Sequence, residues 1–143
     1  MAAATVAATV PVDTTAVTTS RAVYRTTNRG AKLIGAEMSQ YAALKDRGRT
    51  KAGPVELANG ADALLSFKLV MPGDTVALDK QIFRTTKSDE NGQTVVHYDA
   101  TIAAHAVRIS YSFLPDSYRV NVSAQVTTNG AAPSASAFLL VDL

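Results

Sequence analysis

The chain has 143 residues, 47% of them hydrophobic and 18% charged, with a formal net charge of +2 and no cysteine. That length suits one domain with a real core, and the absence of cysteine excludes disulfide frameworks, thiolate metal sites and cysteine nucleophiles. The slight positive balance falls short of a nucleic-acid-binding composition, and no run of ~18 apolar residues is present to cross a bilayer as a helix.

Residues 1–20 are nearly all Ala, Thr and Val, with Pro11, Asp13 and no large side chain. Such a stretch has little to bury and reads as a flexible Ala/Thr-rich tether or an extended arm, with the domain proper over residues 21–143. It is either a spacer to something upstream or a chain end without a role. A basic n-region and a compact apolar core are missing, so it is not read as a signal peptide.

Residues 21–27 alternate and predict the first strand, and Asn28-Arg29-Gly30 predicts a turn because Asn and Gly tolerate positive φ. In the next stretch Ile34, Ala36 and Met38 alternate, while Leu33, Tyr41 and Leu44 would also suit a helix. The preceding hairpin-type turn favours a strand to about Gln40.

Residues 45–54 read as a loop by their glycines and proline. Lys45, Arg47, Arg49 and Lys51 set four positive charges there against one negative charge, Asp46. A solvated loop is the preferred reading of such a run; contact with anionic lipid head groups or nucleic acid is the functional one.

Residues 55–58 predict a short strand, followed by a turn at Asn59-Gly60. Leu65, Phe67 and Leu69 alternate with Ser66 and Lys68, which puts the core face on the odd positions. Pro72-Gly73-Asp74 is a tight turn into residues 75–78. Residues 81–87 and 93–100 flank Ser88-Asp89-Glu90-Asn91-Gly92 as a hairpin with Asn-Gly at its tip.

The best-determined stretch is 106–127, where Val107, Ile109, Tyr111 and Phe113, and then Tyr118, Val120, Val122, Ala124 and Val126, alternate with polar residues. A four-residue loop, Leu114-Pro115-Asp116-Ser117, sets Phe113 opposite Tyr118, Tyr111 opposite Val120, Ile109 opposite Val122 and Val107 opposite Ala124. Ser112 then faces Arg119, Ser110 faces Asn121 and Arg108 faces Ser123. After Thr128-Asn129-Gly130 and a small-residue loop to Ser136, residues 137–143 form an apolar last strand. Because that strand lacks a cap, the domain is expected to be truncated at its C-terminus. About nine or ten short strands with regular turn signals and no helix predict an all-β fold, an antiparallel β-sandwich.

Candidate chemistry is sparse. His97 and Asp99 share a strand face, ~7 Å apart by strand rise, and would bind a metal or move a proton only if a third group joined them. A pair on a wet strand face is the preferred reading, and His105 has no companion at ligand spacing. Tyr98, Tyr111, Phe113 and Tyr118 would make a stacking platform for bases or sugars, but their alternation assigns them to the core. No nucleophile elbow, Walker loop or dinucleotide loop is present. No catalytic, cofactor or metal residue is assigned, and the chain is not read as an enzyme.

Two stretches carry a family resemblance. Val23-Tyr24-Arg25-Thr26-Thr27-Asn28-Arg29-Gly30-Ala31-Lys32-Leu33-Ile34-Gly35-Ala36-Glu37-Met38 resembles the first hairpin of the periplasmic domain of bacterial YidC-type membrane protein insertases. Ile109-Ser110-Tyr111-Ser112-Phe113, then Pro115-Asp116-Ser117-Tyr118-Arg119-Val120-Asn121-Val122 and Asn129-Gly130, is similar to that domain's recurrent aromatic hairpin. Pro54-Val55-Glu56-Leu57 fits the segment between them.

The resemblance implies a β-supersandwich on the periplasmic side of the inner membrane. It implies a non-catalytic part in the insertion and folding of membrane proteins, by tethering or by protein contacts. The implied partners are translocon or insertase components and substrate membrane proteins, and no cofactor is implied; contact with the membrane surface is the functional reading of the basic run, and the charge balance predicts no nucleic-acid partner. The alternative reading is a free-standing β-sandwich binding module for carbohydrate or cell-surface assembly.

Overall fold

The computed structural model describes residues 10–45, 50–59, 64–128 and 137–142. Among these the chain forms eleven strands and no helix: β1 Thr14–Thr18, β2 Ala22–Thr27, β3 Lys32–Lys45, β4 Thr50–Asn59, β5 Ser66–Met71, β6 Asp74–Ala77, β7 Arg84–Glu90, β8 Gln93–Ile102, β9 His105–Phe113, β10 Val120–Thr128 and β11 Phe138–Asp142. Three antiparallel sheets result, ordered β1-β2-β3-β4, β10-β9-β8-β7 and β11-β5-β6. The all-β expectation holds, with eleven strands where nine or ten were expected.

The extra strand comes from the stretch assigned to the arm. Thr14–Thr18 pairs along β2 through five positions, and Val17 is 2% exposed. Its β-branched residues suit a strand once a neighbour supplies the ladder. Asn28 fastens it from the β2–β3 turn: its Oδ1 accepts from the Asp13 amide at 2.7 Å and its Nδ2 donates to the Pro11 carbonyl at 2.8 Å.

The basic run also changes character. Lys45 ends β3 and Thr50 begins β4, so most of the stretch expected as loop is hairpin ribbon, while residues 46–49 lie outside the described residues. Gly60, Asn129 and Gly130, expected in turns, lie outside them as well.

The hairpin of β9 and β10 keeps its faces but not its expected register. Phe113 pairs with Val120, Tyr111 with Val122, Ile109 with Ala124 and Val107 with Val126. Ser112 therefore faces Asn121, Ser110 faces Ser123 and Arg108 faces Gln125. The loop is two residues longer than expected because it is held elsewhere. The Pro115 carbonyl accepts from the Ser20 amide at 3.0 Å and from Ser20 Oγ at 2.8 Å, and Asp116 takes Arg21 Nε at 3.1 Å. A slip of two leaves every side chain on its own face, so alternation alone does not detect it.

The turn between β7 and β8 is tighter than expected. Asn91 and Gly92 alone form it, at φ 52° and 75°, and Glu90 already pairs with Gln93. The turn between β8 and β9 has no sequence signal at all, because Ala103 and Ala104 occupy it at φ 46° and 66°. Alanine in the left-handed region costs roughly 1–2 kcal/mol per residue. Replacing the pair by Asn-Gly is therefore expected to stabilise the chain by about 1–2 kcal/mol, read as a higher urea midpoint at constant m; an unchanged midpoint would show that the two alanines are unstrained.

The core lies where the first two sheets face each other. Tyr24 of β2 packs on Phe113 at 5.0 Å between ring centroids, and Tyr98 meets Tyr111 edge-on at 6.1 Å. Phe67 and Leu69 of β5, on the odd face as expected, join the same cluster with Leu78 and Phe83. Two buried phenols tie the sheets together: Tyr98 donates to Thr26 Oγ1 at 2.5 Å, and Tyr111 donates to the Ala31 carbonyl at 2.6 Å.

Tyr24 differs, since its buried hydroxyl has no hydrogen-bond partner among the described residues. An unsatisfied buried hydroxyl costs about 1–3 kcal/mol. Tyr24→Phe is expected to raise stability by about 1 kcal/mol, against losses for the other two phenols; a thermal melt of the variant below that of the parent chain would refute it.

Candidate functional site

The outer face of the second sheet is polar because every second residue of β7 to β10 points there. Its rows run Thr86, His97, Ser110, Ser123 and Arg84, Asp99, Arg108, Gln125. In the next row the small Ala106 sits between Thr101 and Thr127. Long side chains around a methyl floor leave an open groove of about 610 Å³, lined by Arg84, Asp99, Thr101, Ala106, Arg108 and Gln125 among others.

His97 and Asp99 share this polar face, as expected of a pair on a wet strand, but each bonds a different neighbour. Asp99 takes Arg108 in a two-pronged ion pair, with Nε at 2.7 Å and Nη2 at 3.1 Å, which holds the guanidinium pKa up. His97 turns along the strand: Nδ1 lies 2.7 Å from Ser110 Oγ and Nε2 lies 3.4 Å from Glu90 Oε1. The hydrogen bond from His97, then one from Ser88, keeps the Glu90 carboxyl below the usual range. His105 bonds Thr128 across the strands at 3.0 Å.

Ser110, His97 and Glu90 thus stand in the order of a nucleophile, a base and an orienting acid. The surroundings do not let them work as one. Ser110 is 8% exposed and sits in the middle of β9, between β8 and β10. A central strand spends its amides on its neighbours, so none is left to hold an oxyanion. Among the described residues no three His, Asp or Glu side chains group to hold a metal ion.

A second surface lies at the opposite rim. Tyr118, expected in the core, is 37% exposed, because the register shift places it in the loop ahead of β10. It meets Tyr41 of β3 at 6.1 Å, and Tyr41 is 58% exposed. Arg21 stands beside them, fixed by Asp116 and by Gln40 Oε1 at 2.8 Å. Hydrogen bonding from Ser20, then the Arg21 charge, keeps the Asp116 carboxyl below its usual range. Tyr98, Tyr111 and Phe113 are buried as expected, so the four-ring platform does not exist. The alternation of Tyr41 gave no hint of the pair, since the contact bridges 77 positions of chain that only folding brings together.

The chain is thus an all-β module of antiparallel sheets in which several charges pair across strands and some large apolar side chains stay exposed. A family model for the YidC periplasmic domain matches residues 12–141, and the chain belongs to that family. No curated protein and no solved structure matches it. The domain is accordingly a non-catalytic part of a membrane protein insertase on the periplasmic side, and the resemblance seen in residues 23–38 and 109–130 is borne out. No helix among the described residues is long and apolar enough to cross a membrane.

Proposed function

We propose that the domain assists insertion by protein contacts, holding translocon components or extended segments of substrate membrane proteins beside the insertase. Membership of the family over residues 12–141 carries this reading. The geometry agrees with it: Tyr41, Leu57, Tyr118, Val122, Phe138 and Leu140 are large apolar side chains left exposed. Tyrosines beside a fixed arginine have the composition of interface hot spots. The carbohydrate alternative draws less support, because the described residues that line the groove at Ala106 include no aromatic ring on which a sugar would stack.

Site-specific photocrosslinking in the full insertase tests the proposal. Probes at positions 41, 57, 118 and 122 are expected to capture a stalled substrate or a translocon subunit, whereas probes at Asn91 and Asp74 are not. Silence from all four rim positions during active insertion would overturn it.

A further inference from the structure

Among the described residues six strands stand at sheet edges: β1, β4, β10, β7, β11 and β6. An open edge presents unpaired N–H and C=O groups, and natural sheets protect it with charge, proline, bulges or shortness. β7 carries Arg84, Lys87, Asp89 and Glu90. β4 contains Gly53-Pro54 and pairs irregularly with β3. β6 has four residues and begins on Asp74, and β1 and β11 have five each, Asp142 of β11 being tied to Lys68.

β10 has none of these devices. Its nine residues, V-N-V-S-A-Q-V-T-T, include no charge, no proline and no glycine. They pair with β9 at nine consecutive positions without a register shift. Side chains 121–125 are exposed on both faces; β11 comes into contact with β10, but no strand among the described residues pairs with β10 on its other side. Five such residues offer an edge of roughly 17 Å at the rise of an antiparallel strand.

We propose that the free edge of β10 binds an extended, uncharged segment of a partner polypeptide as an added strand. A row of alternating donors and acceptors at strand spacing is answered only by another backbone. Val120, Val122 and Ala124 would flank the segment on one face, and Asn121, Ser123 and Gln125 on the other. Alternating apolar and small polar residues are therefore accepted, and a charged residue meets no counterion. The short edge also argues against a second copy of the chain, because a stable dimer buries about 800 Å² per partner and five strand residues bury far less. A brief, sequence-tolerant grip suits a chain in transit. The inference rests on the contact role proposed above only for the identity of the partner.

The test uses a capped hexapeptide alternating valine and threonine, made soluble by a short ethylene-glycol tail, titrated into the isotopically labelled chain. Amide shifts are expected to move saturably over residues 120–126 and not along β7 or β4. Val122→Lys, at a position already 39% exposed, is expected to weaken binding at least tenfold with the melting temperature unchanged, and Val122→Thr to retain it. The same peptide methylated on every amide nitrogen is expected not to bind.

Shifts at another edge, undiminished binding by Val122→Lys, or binding of the methylated peptide would each overturn the proposal. A concentration-dependent dimer that excludes the peptide and is broken by Val122→Lys would assign the edge to a second copy instead. Failure here with crosslinks persisting at positions 41 and 57 would leave the contact function standing and remove only its assignment to β10.

Discussion

Replacing Tyr111 by alanine is expected to cost about 3–5 kcal/mol, the usual range for emptying a large buried aromatic site. Its ring is fully buried, stacks near Phe113 at 6.3 Å and meets Tyr98 edge-on. Tyr111→Phe keeps that packing and removes only the 2.6 Å bond to the Ala31 carbonyl, for an expected loss of about 1–2 kcal/mol. Ala31 is fully buried at φ 51°, so water does not replace the lost donor. Urea unfolding of the two variants separates the terms; equal losses would mean that the hydroxyl carries the whole effect.

The same phenols set an alkaline limit. Burial pushes the Tyr111 and Tyr98 hydroxyls above the ordinary value of 10.0. Below pH 10 the phenols are neutral in both the folded and the unfolded chain, and their contribution is fully present. Above it the unfolded chain releases protons that the folded chain keeps, so stability falls as pH rises towards the raised folded values. Burial raises Tyr24 as well, so phenolate absorbance is expected to show three tyrosines, Tyr24, Tyr98 and Tyr111, that ionise only on unfolding; their titration in the folded chain near pH 10 would contradict the burial.

Asn28→Ala is expected to cost about 1–3 kcal/mol, because two part-buried hydrogen bonds to the backbone of residues 11 and 13 are lost. Asn28 is 2% exposed, and its side chain holds the Pro11 carbonyl and the Asp13 amide to the β2–β3 turn, beside the bonds that the Asn28 amide and the Thr27 hydroxyl donate to the Asp13 carbonyl. The effect is also expected to be local. Hydrogen exchange of residues 14–18 rises more than that of β8 and β9, since β1 has only one strand neighbour. A uniform rise over the whole chain would show that β1 is part of the global unfolding unit. Asn28→Asp retains the acceptor for the Asp13 amide and loses the donor to Pro11, so its loss is expected to lie between those of the parent chain and Asn28→Ala.

The candidate surfaces were less legible than the strands. The polar rows of the second sheet were half readable, because alternation had already put Arg108, Ser110 and Ser112 on one face. Their neighbours Gln125, Ser123 and Asn121 needed the true register. His97 and Asp99 share a face as expected, yet a shared face says nothing about which way a side chain leans. Asp99 meets a bidentate guanidinium directly across the strand, which outcompetes an imidazole two residues away. The Tyr41–Tyr118 contact and the bareness of the β10 edge were invisible, since both depend on what lies beside a strand and not on the strand itself.

The sequence by itself determined the all-β character, the positions of most turns and the face to which each alternating residue turns. Those are properties of consecutive residues: period-two alternation, and Asn or Gly where φ must be positive. Only the tertiary structure decided the pairing of β9 with β10, the recruitment of residues 14–18 as a strand and the exposure of Tyr118. Each of these turns on contacts between distant segments: Ser20 and Arg21 with the 115–116 turn, Asn28 with Pro11 and Asp13, Tyr41 with Tyr118. A register moved by two residues preserves every hydrophobic face, so the local pattern is satisfied by both pairings and the long-range bonds choose between them.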